Sequence, residues 1–165
     1  MALIVETGSV VTGAESYVTV AEADTYWSNR NDTVWAALAT AAKEANLRIA
    51  TRWIDSNYSW LGEITNQDQA LDWPRFGVVD RDNRGYDSDE IPQCLKDAVC
   101  EAAFQQNSAA LDVSSTSRQV TKEKLGPMET EYTDHGTDEK VFPWIDKLVG
   151  KLTKGGAATR RFLKG

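Results

Sequence analysis

Between Asp32 and Asn57 the apolar residues Trp35, Leu38, Ala42, Ala45, Ile49 and Trp53 recur every three or four positions. That period puts them on one side of an α-helix, and a side carrying two tryptophans has to be covered by other elements. The stripe commits the chain to a mainly helical fold. Asp32 is the expected N-cap, and the run from Asn57 through Tyr58 and Trp60 to Gly62 is the expected end.

The flanking signals agree with that class. Thr19 and Glu22 stand three residues apart, as in a capping box, which predicts a short helix to about Asn29. Residues 1–18, with Gly8 and Gly13, read as an extended arm. Thr65 or Asn66 is placed to cap a turn of helix through Leu71, closed by Pro74. The polar stretch 77–90 reads as an exposed loop. Pro92 opens a helix predicted to reach about Leu111, with Leu95, Val99, Ala102 or Ala103, and Gln106 along one side. After a Ser-rich linker at 112–118 the period changes to alternation around Gly126 and Pro127, which predicts a β-hairpin or extended loop. Pro143 then opens a last helix with Trp144, Ile145, Leu148, Val149 and Leu152, broken at Gly155 and Gly156. The expected architecture is a small bundle of four to five helices with one hairpin and a flexible C-terminal tail. The expected division is a helical domain over 1–152 with the hairpin inserted near 119–133, followed by a tail over 153–165.

Charge narrows the function. Lys and Arg number 18 against 25 Asp and Glu, a net charge of −7. All 25 acids precede Lys151, together with 13 bases, so residues 1–150 carry a net −12 and the remainder carries only bases. Affinity for nucleic acid comes largely from bases that neutralise phosphates, so an acidic body argues against general DNA binding. A basic end suits docking on an acidic partner.

Little points to catalysis. His135 is the one histidine and sits in an acidic, glycine-flanked loop with no nucleophile beside it in sequence. No nucleophile elbow, zinc-protease, paired-cysteine or phosphate-loop pattern occurs. The acidic run from Asp80 to Glu90 resembles a calcium loop only superficially. With Asp80 as its first position, Arg84 and Ile91 fall where oxygen donors are needed. Cys94 and Cys100 on one helix would be about 9 Å apart along the axis, too far for a disulfide, and read as reduced thiols. No enzyme activity, metal or cofactor is expected. No apolar run has the length of a membrane span, and the start lacks a secretory pattern, so a cytosolic compartment is expected. Tyr26, Trp27, Trp35, Trp53 and Trp60 have core spacing, leaving Trp73, Pro74, Arg75 and Phe76 as the one place where aromatics meet a base.

Several pieces, in order, carry a resemblance. They are Ala2 to Gly8, Ala14 to Tyr26 with Tyr17 and Asp24, Trp35 to Leu38, Lys43 to Ala45, Gln69 to Arg75, Ile91 with Pro92, and Lys122 to Pro127 leading to Glu131 and Tyr132. Over roughly residues 1–150 the sequence resembles a phage family labelled DnaT-like single-stranded DNA-binding protein. That family is in turn similar to the head–tail connectors, or adaptors, of tailed bacteriophages. The resemblance implies a homo-oligomeric ring of about twelve copies in the virion neck, assembled from the host cytoplasm. Such a ring joins the portal protein to the tail or to a stopper or nozzle protein, and double-stranded DNA passes through it. It further implies portal docking by the tail, here Arg160, Arg161, Phe162 and Leu163. It also implies an interface at the hairpin, here Lys122, Lys124, Leu125, Gly126, Pro127 and Met128. The alternative is a single-stranded DNA-binding protein of the DnaT-like type. The acidic body favours the connector.

Overall fold

A computed structural model of the chain describes residues 2–111, 122–125, 128–131 and 142–155. The fold is mainly α, with five helices among the described residues and an antiparallel hairpin. Helix α1 spans Val20–Ser28, α2 Thr33–Ala36, α3 Thr40–Asn57, α4 Gln93–Ser108 and α5 Pro143–Val149. Strands β1 (Glu63–Ile64) and β2 (Arg75–Phe76) pair antiparallel, Glu63 opposite Phe76 and Ile64 opposite Arg75. Strands β3 (Lys122–Leu125) and β4 (Met128–Glu131) form the predicted hairpin, Lys122 opposite Glu131 and Leu125 opposite Met128. Two units result: residues 1–111 with 142–165, and residues 112–141.

Helix α1 begins as its sequence dictates. The Thr19 hydroxyl accepts the Glu22 N–H at 3.1 Å, and the Glu22 carboxylate accepts the Thr19 N–H at 2.8 Å. Asp32 also caps as expected, accepting the Trp35 N–H at 2.9 Å, but its helix ends at Ala36. The single helix expected over 32–57 is two, separated at Ala37–Ala39, with Ala39 extended. A continuous helix would hold Trp35 about 27 Å from Trp53 along its axis. The break instead lets Trp35 fold back on α1, its ring 6.4 Å from Trp27 and its indole N–H donating to Asp24 at 2.8 Å.

The break also shifts the buried side of α3. Lys43, Leu47, Ala50, Thr51, Trp53 and Ile54 are buried, whereas Ala42 and Ile49 are half-buried and Ala45 is exposed. The predicted stripe is thus correct at Trp35 and Trp53 and one residue out of phase between them. Lys43 starts the real stripe because its ammonium bonds Asp24 at 2.8 Å above the Trp35 ring, with the stem serving as apolar cover.

Helix α4 packs chiefly against α3 and α5. It buries Leu95, Ala98, Val99, Cys100, Ala102 and Ala103, while Gln106 is half-buried. Two aromatic groups fill the interior. Trp27 meets Tyr26, Trp35 and Phe104. A second chain of rings runs from Phe142 through Trp53, Tyr58 and Trp60 to Trp73, with centroids 5.5, 6.1, 5.9 and 5.9 Å apart.

Three other expectations are corrected. Residues 66–71 make no helix. The Asn66 side chain accepts the Asp68 N–H and its carbonyl the Gln69 N–H, so an Asx turn connects the β1–β2 pair, a second β element. The N-terminal segment is no free arm, since Glu6, Ser16, Tyr17 and Val18 are all buried. The 77–90 loop is exposed except at Val78 and Asp80, which are buried, and Tyr86, which is half-buried. Asp80 folds the loop by accepting the Asp82 and Arg84 N–H groups, both at 2.9 Å.

Candidate functional site

The strongest polar constellation joins three segments that sequence alone keeps apart. Tyr17, in the N-terminal segment, donates its hydroxyl to both carboxylate oxygens of Asp55, at 2.9 and 2.8 Å. Asp55 lies in the last turn of α3. The Asp72 N–H donates to Asp55 at 3.2 Å, and the Trp73 N–H donates to the Tyr17 oxygen at 3.1 Å. Burial of the Asp55 carboxyl, with repulsion from the nearby Asp72 carboxylate, pushes its pKa up to about 7. Burial and the adjoining Asp55 also raise the Tyr17 phenol. An acid at a helix C-terminus opposes the helix dipole, and that is the one trace of this cluster in the sequence.

Beside the cluster runs an open groove of about 410 Å³. Arg48, Ile49, Arg52, Asp55 and Ser56 of α3 form one wall, Ala70, Leu71 and Asp72 the other, and Glu15 closes an end. Arg48 pairs with Glu15 at 2.9 Å and with Glu44 at 3.7 Å. A second groove, about 510 Å³, separates α1 from α4. It is crossed by the Lys96–Glu22 ion pair at 2.8 Å, and the Arg30 guanidinium stacks 3.4 Å over the Tyr26 ring. Tyr26 donates to Glu101 at 2.7 Å. Burial raises the Cys100 and Cys94 thiols, which makes both poor nucleophiles. Among the described residues no group of three His, Cys, Asp or Glu side chains could hold a metal ion. Nor is any described helix long and apolar enough to cross a membrane.

The aromatic residues are mostly enclosed. Trp27, Trp35, Trp53, Trp60 and Trp73 are buried, and Trp144, at 58% exposure, is the exception. In the Trp73 to Phe76 run, Arg75 turns inward. Its guanidinium donates to the carbonyls of Leu61, Asp72 and Gly62 at 2.8–3.1 Å, so it braces the β1–β2 connection, while Phe76 is exposed. On α5, Trp144 stands three residues before Lys147, on the same side of the helix.

Residues 1–165 match the family model described as "Putative DnaT-like ssDNA binding protein". The chain belongs to this DnaT-like family. Its description names single-stranded DNA binding and says nothing of a phage neck. Searches of curated proteins and of solved structures found no match.

Of the residues singled out from sequence in this DnaT-like protein, Lys122, Lys124 and Leu125 lie on β3 and Met128 on β4. Gly126, Pro127, Arg160, Arg161, Phe162 and Leu163 lie outside the described residues, as does His135. Sequence reading missed Tyr17, Asp55 and Asp72, whose meeting depends on the tertiary fold.

Proposed function

We propose that this DnaT-like family member is a non-catalytic assembly protein, a head–tail connector subunit of a tailed bacteriophage. About twelve copies form a ring in the virion neck between the portal and the tail or next neck protein, and the ring surrounds the passing double-stranded DNA. The observation that carries this reading is the acid excess of residues 1–150, net −12, on a body that turns five of six tryptophans inward. Such a surface repels phosphate, which suits the wall of a channel that DNA must traverse without sticking. The hairpin residues Lys122 to Met128 and the tail residues Arg160 to Leu163 are its contacts with neighbours in this reading. Gold-labelled antibody imaging of virions tests it: label at the junction of head and tail is expected, and label absent from virions would refute it.

A second reading is single-stranded DNA binding, and the family description favours it over the connector. Its structural support is the exposed Trp144 with Lys147 beside it, followed by Lys151 and Lys154. An exposed ring near bases is the minimum of a stacking platform. Oligonucleotide titration separates the two readings. Binding whose log affinity falls with log salt and drops on Trp144→Ala supports the DNA reading. No binding at low salt removes it.

A further inference from the structure

We propose that the single strand of the DNA-binding reading, on which this inference rests, is held where the 79–86 turn meets the end of α5. A base stacks on Trp144, and Arg84, Lys147 and Lys151 take the neighbouring phosphates.

The first argument is how the place is built. The Arg81 guanidinium donates to the Gly150 carbonyl at 2.8 Å, which fastens the turn to the C-terminal end of α5. The turn is held within itself as well. Val79 bridges Gly85, the Tyr86 N–H donates to the Val78 carbonyl at 3.1 Å, and the Asp80 N–H donates to the Arg84 carbonyl at 3.0 Å. Lys151 lies beside the Tyr86 phenol, with Arg84 close enough to repel its charge. Gly150 keeps helical dihedral angles, so Lys151 follows Lys147 by one turn, on the side that carries Trp144. Two segments far apart in sequence thus bring an exposed ring and three cations to one edge.

The second argument is charge. Among the described residues Arg84, Lys147 and Lys151 take part in no ion pair, whereas Lys43, Arg48 and Lys96 all do. The acids within the two segments do not cancel them. Asp80 is buried and accepts the Asp82 and Arg84 N–H groups, and Asp146 is buried against the Tyr58 hydroxyl, which leaves Asp82 as the exposed one. A chain of net charge −7 therefore keeps a cationic edge here. The third argument is fit. Trp144 and Lys151 are separated by about 10 Å along the helix axis, the length of about three stacked nucleotides. A strand uses the whole edge, because its bases stack on the indole while its phosphates meet the cations. An acidic peptide needs only the cations, and in a duplex the bases are already stacked on one another.

The test titrates the full-length chain with a short fluorescein-labelled oligothymidylate at several salt concentrations, reading anisotropy and tryptophan emission. Binding should quench the emission of the parent. Trp144→Ala should abolish that quenching and weaken binding about fivefold or more. The hydrogen bonds of Arg84 to Asp80 are made by its backbone, so Arg84→Ala leaves the turn in place. It should weaken binding several-fold and lower the slope of log affinity on log salt by about 0.7, as should Lys151→Ala. Lys96→Ala, in the α1–α4 groove, should change neither quantity. Binding by the parent that Arg84→Ala and Lys151→Ala leave unaltered in affinity and slope would overturn the proposal and spare the DNA-binding reading, since the strand would lie elsewhere. No binding by the parent at low salt would end both. Polyglutamate that displaced the strand at equal charge concentration would also overturn the proposal, and would give the edge to an acidic protein.

Discussion

The helices and the loops of this protein are held by opposite means. Around α3, α4 and α5 the work is shared among many apolar contacts, with the ring chain from Phe142 to Trp73 passing through Trp53, Tyr58 and Trp60. A polar link within it is the Tyr58 hydroxyl donating to the buried Asp146 at 2.6 Å. The N-terminal segment instead winds around one carboxylate. Glu6 is 1% exposed and accepts the N–H groups of Gly8 at 2.8 Å, Val10 at 3.0 Å and Val11 at 2.7 Å. Asp80 does the same for the 80–86 loop. A packed core loses stability in proportion to what is removed, whereas a turn built on a single acceptor loses its shape with that acceptor.

The largest effect should come from the core. Trp53→Ala removes a buried ring that touches both Tyr58 and Phe142, and should cost about 3–5 kcal/mol in urea unfolding. A loss below about 1 kcal/mol would show that the rings are not the shared support described here. Glu6→Ala is the matching experiment on the loop side. It leaves three backbone donors without their acceptor and should cost about 2–3 kcal/mol. Hydrogen exchange at Gly8, Val10 and Val11 should rise while the α4 amides remain protected. Equal deprotection of α4 would erase the distinction between the two regions.

This contrast also explains what the sequence made legible. The capping box at Thr19, the cap at Asp32, the proline at the start of α5, helix α4 and the β3–β4 hairpin are local features, set by residues a few positions apart. The break at Ala37–Ala39 was hidden because nothing local forbids a helix there, and it is the distant partners Trp27 and Asp24 that draw Trp35 away. Lys43 was hidden because charge masks a buried stem. The Tyr17, Asp55 and Asp72 cluster joins residues 38 positions apart or 17 apart, spacings that carry no periodic signal. Of the site residues chosen from sequence, Lys122, Lys124, Leu125 and Met128 fall on the predicted hairpin, but nothing in their spacing says what they touch.

That cluster gives an intermediate effect with a definite sign. The pKa of Asp55 rises from the usual 3.8 to about 7 in the folded chain, so the folded state holds this proton more tightly than the unfolded state. The stabilisation is full below about pH 4 and is lost as pH rises toward 7. Between pH 5 and pH 8 the loss should be about 2–3 kcal/mol. Asp55→Asn, which cannot ionise, should flatten that part of the profile. If the parent and the variant kept the same slope, the Asp55 carboxyl would not be the group responsible.

The smallest effect tests where the two regions meet. Thr19→Ala removes the acceptor of the Glu22 N–H and should cost about 1 kcal/mol. Glu22 has a second task, since its other oxygen holds Lys96 of α4 at 2.8 Å while the first accepts from Thr19. Both partners are partly exposed, and a pair of that kind contributes about 0–1 kcal/mol. Lys96→Ala should therefore cost less than Thr19→Ala, and the double variant measures whether the two are coupled. Additive losses would mean that the cap is purely local, like the Asp80 turn. A double loss smaller than the sum would mean that the cap works by aiming Glu22 at α4, so that this one local signal also secures the packing of α1 on the core.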